Sequence, residues 1–293
     1  MGGAVESWGV VDDRESIAAI HQAIDLGLNL IDTAPIYGLG HSEAIVGKAI
    51  QGRRGEVMLA TKCGQLSPTS SDQPPRRCLR PESVIRECEA SLRRLRTDTI
   101  DLYQCHWPDP TTHIRDTMTA LRSLLDQGKI RAIGLSNYSC DQIAAAMEFG
   151  PVHAVQPSFS MLHHRAIDDL FPFCLEHGLG VLPYSPLAKG LLCGRFTPES
   201  TFTGVRARDP DFIGDRYRRN LAVVDELRPI AETYGKTLTQ FVINWTINVA
   251  GVTAPIVGAK RSSHVIEVHG ALGWEISADD RRRIDVILQG ATA

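Results

Sequence analysis

A chain of 293 residues with 43% hydrophobic and 22% charged residues has the composition of a soluble globular protein able to bury a full core. Its formal net charge of −3, with acids and bases interspersed, excludes a nucleic-acid or anionic-membrane surface as the main partner. No apolar run suits a transmembrane helix, residues 1–6 lack the features of a secretory signal, and seven irregularly spaced cysteines without a C-x-x-C fit reduced cytoplasmic thiols better than disulfides or a zinc site.

In chain order, apolar spacing at Ile17, Ile20, Ile24 and Leu28 predicts a first helix, opened at Asp12 with Glu15 three residues on and stopped at Gly27. The run 28–34 predicts a strand that delivers Asp32 and, five residues later, Tyr37 into a loop carrying Pro35 and Gly38. A helix over 41–50 and a strand over 57–63 follow. Residues 64–80, rich in Pro, Ser and Gln, read as a loop, and Pro81 opens a helix in its first turn, where a missing N–H costs nothing. Next come a strand over 100–106, a helix over 114–127, a strand over 130–135 ending at Ser136-Asn137, and a helix over 141–149. Strand 154–159 carries Gln156, helix 166–177 follows, and strand 180–184 ends at Tyr184. Residues 188–219 lack periodicity and read as a lid or disordered loop. Helices over 221–234 and 238–248, a strand over 252–257, a helix opened by residues 258–261 and a last helix over 278–288 complete the chain.

Strands alternating with helices predict a parallel sheet with crossover helices. No G-x-G-x-x-G occurs, which disfavours a doubly wound dinucleotide fold. The expectation is one α/β domain over residues 1–293, a (β/α)₈ TIM barrel, although only seven inner strands can be counted.

In such a barrel every strand ends on one face, so Asp32, Tyr37, Lys62, His106 and Ser136-Asn137 converge there. A phenol is a poor acid, with an ordinary pKa of about 10; a nearby ammonium lowers it, and a carboxylate holds the ammonium in place. Lys62 and Asp32 are therefore expected to lower the Tyr37 pKa, and His106 to orient a carbonyl oxygen or assist proton delivery. Taken singly, a strand-end Asp is usually a turn group, a Lys a solvated amine, a Tyr half-buried packing and a His a satisfied core group. Four proton-active groups on successive strand ends favour function.

The sequence resembles the aldo-keto reductases over nearly all its length. The D-T-A-P-x-Y-G stretch within residues 29–38, Ala60-Thr61-Lys62, residues 102–106, Gly134-Leu135-Ser136-Asn137, residues 184–192 and residues 255–260 resemble that family's motifs in order. The resemblance implies NADP(H) across the barrel mouth and a small carbonyl substrate, with Tyr37 as proton donor and Asp32, Lys62 and His106 as its catalytic partners. Ser136, Asn137 and Gln156 would bind the carboxamide and Tyr184 would stack on the nicotinamide. Ser185, Pro186, Leu187, Lys189, Gly190 and Leu191 would cover the pyrophosphate. Gly258, Ala259, Lys260, Arg261, His264 and Glu267 would form the adenosine end, where the basic pair favours NADP over NAD. Residues 61–64 and His106-Trp107 resemble members reducing methylglyoxal and small aldehydes. Potassium-channel β-subunits, NADP-binding regulators on the same fold, carry the same four groups and give the runner-up reading. Two departures stand out. The start at Met1 resembles the segment after the family's N-terminal hairpin and first barrel strand, so either the chain is truncated or its true start lies upstream of Met1, and as numbered the protein is expected to be unstable or poorly active. Val268 stands where an adenine-bonding side chain is common.

Overall fold

The computed structural model describes residues 12–67 and 75–292. The expected loss of the N-terminal hairpin and first strand falls on the start of the chain, residues 1–11, which lie outside the described residues.

Helix α1 (Asp13–Asp25) starts where expected: the Asp12 carboxylate accepts from the Arg14 N–H at 2.7 Å. Strand β1 (Leu30–Asp32) and helix α2 (His41–Ala49) follow. Strand β2 (Met58–Cys63) continues into an antiparallel ribbon, β3 (Gln65–Leu66) with β4 (Arg76–Arg77), within the stretch read as loop. Pro81 does open α3 (Pro81–Leu95), and β5 (Ile100–Cys105), α4 (Ile114–Asp126), β6 (Ile130–Ser136) and α5 (Cys140–Met147) come next. Strand β7 (Ala154–Gln156), helix α6 (Leu170–Glu176) and strand β8 (Gly180–Val181) are shorter than expected. Helix α7 (Gly214–Thr233) begins seven residues before the predicted start, inside the segment read as a lid, and α8 (Leu238–Ile247), α9 (Ser262–His269) and α10 (Ala278–Thr292) end the chain. Among the described residues no helix is long and apolar enough to cross a membrane.

The sheet order is β1-β2-β5-β6-β7-β8, and every pairing is parallel. The expected seventh strand survives as single parallel bridges, Val252 to Val181 and Ile256 to Tyr184. The helices wrap the sheet in a ring: α1 packs on α2, α2 on α3, α3 on α4, and near the C-terminus α9 returns onto α1. The core divides accordingly. The larger cluster lies between sheet and helices, while Ala60, Leu102, Ala154 and Leu182, with Leu30, Ala132, Ala254 and Ile256 packed against them, form a separate inner layer. That layer draws one or two residues from each of the seven strand segments, the inner filling of a TIM-barrel-like α/β fold.

Because side chains two apart share a face of a strand, the rung above this apolar layer consists of Asp32, Lys62, Gln104, Gly134, Gln156 and Tyr184. The register agrees: Lys62 sits beside Gln104, and Gln104 beside Gly134. A Cβ on Gly134 would lie 2.7 Å from the Gln104 Cγ, so the glycine makes room for that side chain.

Candidate active site

Lys62 has no solvent exposure, and its ammonium donates to Asp32 Oδ2 at 2.5 Å and to the Thr33 carbonyl at 2.9 Å. The other Asp32 oxygen accepts from the Gln156 amide at 2.9 Å and the Gln104 amide at 3.2 Å. Three donors thus converge on one carboxylate from three different strands. The Lys62 pKa is raised: burial opposes the charge, but the Asp32 carboxylate and the Tyr37 phenol outweigh it.

Tyr37 opens a 3₁₀ turn (Tyr37–Gly40) just beyond β1. Its ring lies 5.4 Å from the Lys62 ammonium and edge-on to His106, with ring centroids 5.9 Å apart. The expected lowering of its pKa is overturned. Burial raises the phenol pKa more than Lys62 lowers it, and Asp32 adds to the rise. A neutral phenol holds the proton a donor must give.

His106 is pushed down to about 3, by burial first and then by the Lys62 charge. It is a neutral imidazole across the physiological range, so it can orient an oxygen through a ring N–H but does not serve as a cationic acid. Its backbone N–H donates to the Cys63 carbonyl at 3.0 Å, and its backbone carbonyl accepts from Asn137 Nδ2 at 2.9 Å.

Asn137 adopts a left-handed conformation, φ 65°, and links neighbouring strand ends. Its amide also donates to Ser136 Oγ at 3.0 Å, and its oxygen accepts from the Tyr184 hydroxyl at 2.8 Å. Ser136 Oγ donates to the Gln156 carbonyl at 2.9 Å. The Gln156 amide is turned toward Asp32, inside the same polar rung.

Ser185, Ala188 and Lys189 all take positive φ, between 45° and 60°, in the turn after Tyr184. Non-glycine residues rarely do so, and such strain clusters at ligand clamps. Pro186 and Leu191 are buried, Leu191 fully, and Leu187 packs on the same core, so they anchor the turn. The turn is clasped from outside. Lys189 pairs with Asp209, and Arg206 Nε donates to the Lys189 carbonyl at 2.8 Å. Gly190, at φ 93°, passes close to Arg206.

At the last site segment, Gly258 is exposed and Ala259 half-buried. The Lys260 N–H donates to His264 Nδ1 at 3.4 Å, and Glu267 accepts from the Thr237 hydroxyl at 2.5 Å. The His264 pKa is lowered by burial, then by Arg261, Arg195 and Lys260, so three cations gather there. Sequence reasoning missed Arg195, Gln104 and the clasp that Arg206 and Asp209 place on Lys189. The glycine opposite Gln104 was the available signal for that residue, but it is legible only once the strand register is known.

A buried Asp–Lys pair beside a neutral phenol and a neutral imidazole, at the strand-end face of a parallel sheet, is chemically able to hand a proton to an oxygen held there. Comparison with known proteins agrees. The model of the aldo/keto reductase family matches residues 1–289. The aldo-keto reductase YhdN of Bacillus subtilis is 37% identical over 297 residues, covering 99% of this chain and 87% of the relative. The NADH-specific methylglyoxal reductase of Escherichia coli is 33% identical over 291 residues, covering 96% and 89%. Among solved structures, the glycerol dehydrogenase AKR11B4 from Gluconobacter oxydans superposes with a TM-score of 0.90 at 36% identity, covering 97% of this chain and 88% of that one. An aldo-keto reductase from Klebsiella pneumoniae in complex with NADPH superposes with a TM-score of 0.74 at 28% identity, covering 94% and 85%. The chain belongs to the aldo/keto reductase family, and it is an oxidoreductase that reduces carbonyl groups with a nicotinamide cofactor.

Proposed function

We propose that residues 1–293 form one catalytic domain that reduces small aldehydes and ketones with NADPH, using Tyr37 as proton donor. The observation that carries this reading is the buried Lys62–Asp32 pair at 2.5 Å with the Tyr37 ring 5.4 Å from the ammonium. His106, neutral, orients the carbonyl oxygen beside the phenol. As Tyr37 gives up its proton, negative charge develops on its oxygen next to the Lys62 ammonium. Asp32 keeps that ammonium charged and fixed by accepting at 2.5 Å, so the charge stabilisation is in place before reaction.

The residues present suit a nicotinamide dinucleotide. The left-handed turn at Ser185, Ala188 and Lys189 makes a cradle closed by the Lys189–Asp209 pair, and Asn137 and Tyr184 line the strand ends beside it. Bound there, the cofactor supplies the hydride. Ser136 and Asn137 hold the carboxamide end, and Lys260 and Arg261, with Arg195, receive the 2′-phosphate; on those cations we favour NADPH, although the Escherichia coli relative is NADH-specific. The regulatory-subunit reading is not favoured, since the relatives matched along the whole chain are reductases and dehydrogenases.

The test is initial-rate oxidation of NADPH and NADH with methylglyoxal and related aldehydes. Tyr37→Phe is expected to cut kcat by about 10²–10⁴, the usual contribution of a positioned proton donor. Undiminished turnover in that variant rules out the phenol as donor.

A further inference from the structure

The ribbon of β3 and β4 rises from the end of β2, immediately beyond the catalytic rung. Its base is tied to that rung. The His106 backbone N–H donates to the Cys63 carbonyl at 3.0 Å, and the Cys78 backbone N–H to the Gly64 carbonyl at 3.1 Å. Gly64 sits at φ 83°, and a Cβ there would lie 2.3 Å from Leu79 Cδ2, so the turn that launches the ribbon admits no side chain. The platform is therefore fixed relative to His106.

In the ribbon Gln65 stands directly opposite Arg77. Opposed residues of an antiparallel pair project to the same side, with Cβ atoms about 4.5–5.5 Å apart. That side faces the loop leaving β5. The Arg77 guanidinium lies over the Trp107 ring, 4.9 Å from its centroid, and Nη1 donates to the Pro108 carbonyl at 3.4 Å. Gln65, Arg77 and Trp107 thus form one patch, joined to the catalytic imidazole through the peptide bond between His106 and Trp107.

Two features of the patch are incomplete. Arg77 has no carboxylate within ion-pair reach among the described residues; the nearby acids are engaged elsewhere, Glu87 with Gly64 and Ser83, Asp109 with Leu79, Thr111 and Thr112, and Glu82 with Arg80. The buried Gln65 side-chain oxygen has no hydrogen-bond partner. A guanidinium laid on an aromatic face keeps an edge free for two parallel bonds to a carboxylate, and an amide beside it can turn its NH₂ to the same group.

We propose that Arg77, with Gln65, is a specificity-determining site for a carboxylate at the far end of the carbonyl substrate. The preferred substrates are then short oxo-acids whose aldehyde reaches Tyr37 and His106 while the acid lies against the ribbon. This rests on the reductase reading above, and the test separates the two. The holoenzyme is assayed with NADPH and two aldehydes matched in length, 4-oxobutanoate and butanal, in wild type, Arg77→Gln and Arg77→Lys. Wild type is expected to favour 4-oxobutanoate at least tenfold in kcat/KM. In Arg77→Gln that ratio falls at least tenfold, through KM, and Arg77→Lys restores part of it. The preference also shrinks as salt is raised, because the subsite is exposed at its rim. A wild-type enzyme with no preference, or a variant that loses both substrates in proportion, overturns the subsite while leaving the reductase standing. Turnover of neither aldehyde by wild type defeats the reductase reading and the subsite with it.

Discussion

Replacing Asp32 with Asn tests whether the site is held together as described. Lys62 is fully buried and has two acceptors, Asp32 Oδ2 at 2.5 Å and the Thr33 carbonyl at 2.9 Å. The variant leaves the ammonium in the interior without an anionic partner, and the single Asn oxygen can face either Lys62 or the Gln104 and Gln156 amides, so its NH₂ meets a donor on the other side. Breaking a buried ion pair by removing one partner costs about 3–5 kcal/mol. An unfolding entropy of about 0.6 kcal/mol/K for a chain of this length converts that to a drop in Tm of about 5–8 °C. The Lys62 pKa is raised in the native state, so its contribution to stability is complete below the ordinary lysine value of 10.5 and is lost only as pH climbs past the native one. Melting curves at pH 7–8 therefore report the whole effect. Adding Lys62→Met to Asp32→Asn removes both charges and should recover most of the lost Tm, since an uncharged filling of similar volume is often as stable as a buried pair. NADPH oxidation should be abolished in the double variant, which has no ammonium beside the phenol. If Asp32→Asn melts within about 1 °C of wild type, or the double variant is no more stable than the single one, the electrostatic account of the site is wrong.

Two further tests bear on the imidazole and on the opposite face of the barrel. The native His106 pKa is depressed to about 3 from 6.5, so below pH 6.5 the unfolded chain takes up a proton that the folded one refuses. Relative to His106→Gln, wild type should lose about 1.4 kcal/mol of stability per pH unit once well below 6.5, and denaturant titrations at pH 7.5, 6.5 and 5.5 check it; parallel curves would contradict a neutral buried imidazole. At the start of β5, Asp101 accepts from Arg54 at 2.6 Å, the Leu59 N–H at 2.8 Å and the largely exposed Arg131 at 2.7 Å. Asp101→Asn should cost about 1–3 kcal/mol in unfolding free energy, with kcat within about twofold of wild type, because this is the face remote from the chemistry.

The strand-end residues were legible because parallel topology forces them to one mouth wherever their strands begin or break. Helix starts at Asp12 and Pro81 were legible because capping is local chemistry. Other features were hidden for physical reasons. The β3–β4 ribbon has two residues per strand, too few for any period, so Gln65 and Arg77 were read as loop. Strand β5 carries Asp101, Tyr103 and Cys105 on one side and Leu102 and Gln104 on the other, so polarity did not reveal that Gln104 faces the barrel interior. The direction of the Tyr37 shift came out wrong because a sequence shows which charges attend a phenol but not how much water it loses. Residues 188–219 lack periodicity because their order rests on specific contacts, Lys189 with Asp209, Arg206 with the Lys189 carbonyl and Asn220 with the Asp211 carbonyl. The onset of α7 was missed because its first turns, 214–220, bury only Tyr217 and Asn220.

The turn at Ser185, Ala188 and Lys189 owes its shape less to its own residues than to what grips it. Left-handed backbone at three side-chain-bearing positions is a bent spring, and the Lys189–Asp209 contact is its catch. Releasing the catch means parting two charges rather than melting a helix. That contact can part without unwinding any helix or breaking any strand pairing of the parallel sheet beneath it.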